Sequence, residues 1–128
     1  MSYTLRSKQE SEREKVVEKW GSLDWLAGKR IGNANELTIG RCIIKKGHSN
    51  PRHYHTNSEE VLYLIRGRLK HFIEDKEIVV EPGDTLVISS GDIHNALSIG
   101  EEDADMITAY PGVRDFYLED ERGSYKKR

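Results

Sequence analysis

The chain has 128 residues, 36% hydrophobic and 33% charged, with a formal charge of -2 and a single cysteine. One domain is expected, burying about two-thirds of the surface its unfolded form would expose, and the composition argues against a disordered or membrane-embedded chain. A near-neutral charge gives no general attraction to nucleic acid or anionic lipid, and one cysteine excludes an internal disulfide or a CxxC metal ribbon.

The first fifteen residues, MSYTLRSKQESEREK, carry charges with no apolar run behind them. Neither a secretory signal nor a membrane anchor is expected there, no later stretch approaches the roughly 18 apolar residues of a spanning helix, and a cytoplasmic location is the default. From Lys8 to Trp20 the chain is rich in Glu, Lys and Arg, and Val16, Val17, Trp20 and Leu23 fall at helical spacing. That pattern predicts an amphipathic helix, with a capping box at Ser7 and Glu10 or at Ser11 and Glu14, and with Gly21 ending it. Residues 1–34 therefore read as a helical extension that folds back on the main fold or crosses to a neighbouring subunit.

After Asn35 the sequence breaks into short runs rich in Ile, Val, Leu, Thr and Tyr, separated by Gly, Pro, Asp and Asn. The runs are Glu36–Lys45, Arg52–His55, Glu60–Arg66, Arg68–Glu74, Glu77–Val80, Thr85–Ser89, His94–Ile99, Ala104–Tyr110 and Asp115–Leu118. That rhythm predicts an all-β sandwich or barrel over residues 35–119, with turns at Gly67, Asp75-Lys76 and Pro82-Gly83-Asp84. Cys42 is expected in the core. Residues 120–128 read as a charged, solvated tail ending in Lys126, Lys127 and Arg128.

Within the strands, His53 and His55 lie two apart and so face the same way; Glu60 follows five residues later and His94 stands in a later strand. Imidazoles with one carboxylate make the mixed donor set that divalent first-row metals prefer. Strand parity turns Glu60 inward with Leu62 and Leu64, and turns Glu59, Val61, Tyr63 and Ile65 outward. Each of the four candidate ligands has an ordinary alternative, a partly buried strand histidine or a solvated edge carboxylate. All four at these spacings favour a shared ion.

Gly47, His53, His55, Glu60 and Gly67, separated by five, one, four and six residues, resemble the first motif of the cupin family; Gly83, Ser89, Gly91 and His94 resemble the second. Ser89 stands where proline is usual and Ser98 where asparagine is usual, and neither departure removes a ligand. The resemblance implies a double-sheet jelly-roll β-barrel, with His53, His55, Glu60 and His94 holding one divalent transition metal ion: Mn, Fe, Ni, Co, Cu or Zn. It also implies a small-molecule substrate or ligand. Four protein donors on an octahedral ion leave two positions for substrate or water. Known cupins include dioxygenases, isomerases, decarboxylases and lyases acting on small metal-chelating compounds, so a metal-dependent enzyme is expected, with a non-catalytic ligand-binding or sensing cupin as the alternative. No nucleic-acid or membrane partner is expected. The apolar outward set Val61, Tyr63 and Ile65, together with Trp20 and Trp25 near the N-terminal helix, points to a homodimer. His71, in phase with Leu69 and Ile73, is either a pocket residue donating to substrate or to a ligand, or a satisfied core or interface histidine; His48 is expected to be exposed. Tyr110 and Tyr117 either line the cavity or pack as aromatic core.

Overall fold

The structure, a computed structural model, describes residues 3–128. Two six-stranded antiparallel sheets pack against each other. In spatial order the first holds β1 (Val16–Glu18), β2 (Gly21–Ala27), β3 (Leu37–Ile44), β10 (Ala104–Pro111), β5 (Glu60–Arg66) and β8 (Thr85–Ile88). The second runs β12 (Tyr125–Lys127), β11 (Tyr117–Glu119), β4 (His53–Tyr54), β9 (His94–Ser98), β6 (Leu69–Ile73) and β7 (Lys76–Val80). No helix among the described residues is long and apolar enough to cross a membrane.

Alternation places the core between the sheets. Along β5, Glu60, Leu62 and Leu64 are buried while Val61, Tyr63 and Ile65 are exposed. Cys42, Ile44, Leu62, Leu64 and Met106 from the first sheet meet Leu69, Val80 and Ala96 from the second. Each large aliphatic side chain buried there contributes about 1.5–3 kcal/mol of transfer free energy. Burial also raises the Cys42 thiol to about 12, as expected of a packed, unreactive cysteine.

Two turns show how local chemistry closes the strands. Gly67, between β5 and β6, has φ +87°, and a Cβ there would lie 2.7 Å from the Ala104 Cα. Both the left-handed backbone and the close approach require glycine. The next hairpin turns through Glu74 and Asp75, one residue earlier than the sequence predicts, with Glu74 at φ 53°.

The expected amphipathic helix from Lys8 to Trp20 is not what forms. A helix, α1, spans only Lys8–Arg13, its first turn capped by the Ser7 hydroxyl, which accepts from the Glu10 N–H at 3.1 Å. Val16–Glu18 then becomes β1, hairpinned to β2, and β2 pairs along β3 from Gly21 opposite Ile44 to Ala27 opposite Ile39. Gly21, expected to end the helix, instead opens a strand: a Cβ at that position would sit 1.8 Å from the Ile43 carbonyl oxygen. Two adjacent β-branched valines and a free edge on β3 outweigh the helical spacing. At the other end, Tyr125–Lys127 is not a free tail; it pairs with β11 as β12.

Candidate metal centre

β4 and β9 are neighbours, with His53 directly opposite His94, so strand pairing alone puts two imidazoles side by side. Their ring centroids are 4.3 Å apart. His55 follows β4 on the same face, its carbonyl oxygen accepting from the Gly91 N–H at 2.6 Å, which ties it to the loop before β9. Glu60 comes from the facing sheet as the first residue of β5. All four side chains are buried: His53 is 5% exposed, His55 2%, Glu60 6% and His94 2%.

Backbone carbonyls orient the three rings. Nδ1 of His53 donates to the Pro51 carbonyl at 2.7 Å, that of His94 to the Asp92 carbonyl at 2.8 Å and that of His55 to the Asp115 carbonyl at 2.6 Å. A carbonyl only accepts, so each Nδ1 carries the proton and each Nε2 presents a lone pair. Nε2 of His55 and of His94 is buried with no partner among the described residues. The three histidines each offer a ring nitrogen, all within 4.8 Å of one another. Three nitrogens that share one ion at the usual bond length lie roughly 3–3.6 Å apart, so the rings would have to draw in on a bound metal. The histidine triad therefore fits a divalent cation: neutral imidazoles, tautomers held by a second hydrogen bond, and orphaned acceptors converging. Glu60 lies beside this group, with Oε1 3.7 Å from His55 Nε2 and 3.9 Å from His94 Nε2.

The electrostatics agree with a cation site. Burial, then the neighbouring His94, pulls His53 down to about 3; burial, then Arg114, pulls His55 to about 4. Both rings stay neutral and able to ligate well below the usual histidine range. Burial alone would push the Glu60 carboxyl up, but Arg114 and the histidines outweigh it and hold it at about 2.

Arg114 did not stand out in the sequence. Its Nη1 donates to Glu60 Oε1 in a short, buried ion pair, and its guanidinium lies 4.1 Å from the centre of the Tyr110 ring. The next two residues also grip the site: Asp115 supplies the carbonyl that orients His55, and Phe116 stacks on His53 at 4.6 Å and 14°. Asp115 is itself held by its carboxylate, which accepts from the Thr56 N–H at 2.6 Å and from the Thr56 hydroxyl. The contacts to Glu60, Thr56, His55 and His53 join positions 54 to 63 residues apart, and the only sequence signal was the aromatic run after Asp115.

His53, His94 and Glu60 line a cavity of about 80 Å³, room for a few waters or part of a small ligand. Its walls include Trp20, Trp25, Leu62, His71, Arg114 and Phe116. His71 is 3% exposed and its pKa is lowered by burial and His94 to about 4. It is no satisfied core histidine, since neither ring nitrogen has a partner among the described residues. Tyr110 and Tyr117 do not line this cavity: Tyr110 packs under Arg114, and Tyr117 stacks on Tyr54 at 4.8 Å. His48 is exposed, as expected.

A family model described as "Cupin domain" matches residues 40–110, more than half of the chain. The chain belongs to the cupin family. It is 29% identical over 91 residues to germin-like protein subfamily 3 member 2 of Arabidopsis thaliana, covering 64% of this chain and 40% of that protein. It is also 29% identical over 69 residues to polyketide synthase CurC of Streptomyces cyaneus, covering 54% and 45%. This cupin thus spans under half the length of these curated relatives. Among solved structures, a conserved Klebsiella pneumoniae protein with a double-stranded β-helix domain superposes with a TM-score of 0.71 at 18% identity, covering 90% of this chain and 97% of that one. The polyketide cyclase RemF of Streptomyces resistomycificus gives 0.66 at 20% identity over 75% and 68%. Oxalate decarboxylase of Lactobacillus farciminis gives 0.71 at 20% identity over 77% and 30%. At such identities the likeness is one of fold.

Proposed function

We propose that this cupin binds one divalent transition metal ion through His53, His55 and His94, with Glu60 as fourth donor, and is an enzyme acting on a small oxygen-rich molecule that chelates the ion. The observation that carries this reading is the set of three buried imidazoles, each with Nδ1 committed to a carbonyl and its other nitrogen free. A bound divalent ion supplies Lewis-acid polarisation of a substrate oxygen or, for a redox metal, activation of dioxygen. The chain supplies the rest. Arg114 keeps Glu60 ionised, Phe116 and Asp115 fix two of the rings, and the apolar walls around Leu62 and Met106 hold the cavity at low dielectric, where charge interactions are strong. The polyketide cyclase and oxalate decarboxylase among the structural neighbours support an enzyme over a passive binder. The exposed Val61, Tyr63 and Ile65, continued by Val87 on β8, support a homodimer through this outer face, which light scattering tests.

The test of the function is to load the protein separately with each candidate metal, measure metal content after dialysis, and screen sugar acids, β-diketones and phenolics for turnover. One retained ion per chain with turnover of one compound class is the expected result. No retained ion overturns the metal reading; retained ion and ligand binding with no turnover makes this cupin a binding module.

A further inference from the structure

His71 is the third residue of β6 and stands against the triad, its ring centroid 5.9 Å from that of His94. It is not one of the three histidines whose nitrogens converge. Nor does a carbonyl hold it, in contrast to His53, His55 and His94: its Nδ1 and Nε2 are both sealed from bulk solvent and unpaired among the described residues. Its cross-strand neighbours are Ala96 and Ile78, neither of which offers a side-chain partner. An unsatisfied buried polar group costs about 1–3 kcal/mol, so a ring left this way across the cavity needs a partner that arrives from outside the fold.

Resting on the proposed metal centre, we infer that His71 reads a hydroxyl of the chelating ligand, at a position away from the atoms that bind the ion, and so selects hydroxylated carboxylates over analogues lacking that hydroxyl. A neutral imidazole has one donor and one acceptor nitrogen, and a hydroxyl both donates and accepts, so it suits either nitrogen. A carbonyl or carboxylate oxygen suits only the donor. The carboxylate follows from charge: Arg114 and Glu60 cancel, which leaves the positive charge of a bound divalent ion to be matched by an anionic chelator.

Glycerate and lactate are both α-hydroxy carboxylates and differ by one hydroxyl, which makes them the probes. The full chain is loaded with Co(II), and each probe is titrated while the visible spectrum of the cobalt is followed. The parent should bind glycerate more tightly than lactate by at least about tenfold, because a site built to pair a hydroxyl rejects the analogue that leaves it unpaired. In His71→Leu that ratio should fall to about one. Co(II) affinity should stay within about threefold of the parent, well short of the roughly 10–100-fold lost with a partner that orients a metal ligand. His71→Gln, which keeps a donor and an acceptor, should retain a preference for glycerate. Each ratio is read within one protein, so repacking that shifts both affinities cancels. Equal binding of the two probes by the loaded parent, or a ratio that survives His71→Leu, overturns the assignment of His71 while leaving the metal centre standing. A parent that takes up no Co(II) overturns the metal reading and this inference with it.

Discussion

Removing Arg114 from the metal-free protein isolates the electrostatics of the centre. The Glu60 side chain is 8% exposed and that of Arg114 12%, so their ion pair is buried on both sides. In Arg114→Met the carboxyl must either remain an unpaired buried charge or take up a proton far above its present range. Breaking such a pair from one side costs about 3–5 kcal/mol. For a domain of this size that lowers the melting temperature by roughly 10–20 °C. Adding Glu60→Gln removes the stranded charge, and the double variant should recover most of the loss, since replacing both partners of a buried pair is often close to neutral. The assay is urea unfolding at pH 7.5 in chelator, comparing the parent, both single variants and the double variant. A loss below about 1 kcal/mol for Arg114→Met, the value of an exposed pair, would refute the reasoning, as would a double variant no more stable than Arg114→Met alone.

Acid should destabilise the metal-free protein unusually early. His53, His55 and His71 titrate at about 3, 4 and 4 in the folded chain against an ordinary 6.5, so between those values only the unfolded chain takes up protons and stability is lost as pH falls. From pH 7.5 to 5.5 the three together account for about 4 kcal/mol, with Glu60 adding to the loss below about 4.5; a urea midpoint flat across that range counts against it. Alanine at His53, His55 or His94 should lower metal affinity by more than the roughly 10–100-fold that an outer hydrogen-bonding partner is worth, and Glu60→Ala should weaken it too, whereas Glu59→Ala, on the exposed face, leaves dialysed metal content unchanged. Gly21→Ala drives a methyl group into the Ile43 carbonyl oxygen and should cost at least about 2 kcal/mol in denaturant unfolding; a silent substitution would mean the β2–β3 pairing is wrong.

The strands of the two sheets were legible wherever burial alternates. Leu62, Leu64 and Glu60 against Val61, Tyr63 and Ile65 is a period of two that no helix satisfies, and the observed β5 has the predicted bounds, Glu60–Arg66. The common facing of His53 and His55 was legible because spacing within a strand fixes it, and the second cupin motif is what tied His94 to them. The N-terminal region was misread because Val16, Val17, Trp20 and Leu23 satisfy a helical spacing as readily as a hairpin. What decided between them was the unpaired edge of β3, a tertiary feature with no local signature. Arg114 was illegible for a related reason. Its partner Glu60 lies 54 residues away, and a charge in a Pro-Gly-Val-Arg-Asp loop looks like any solvated one. The pairing of β12 was hidden by composition, since Tyr125–Lys127 lies in a charged tail and is recruited only by β11.

Arg114, Asp115 and Phe116 touch Glu60, His55 and His53 in turn, and all three lie beyond residue 110, where the family match stops. The stretch that the family model matches therefore leaves out part of the candidate centre. A fragment ending at residue 110 would carry every candidate ligand yet leave His55 with no acceptor for its Nδ1, Glu60 with no counter-charge and one face of His53 bare. A graft of this candidate centre onto another barrel would have to bring the 114–116 strap along with the candidate ligands.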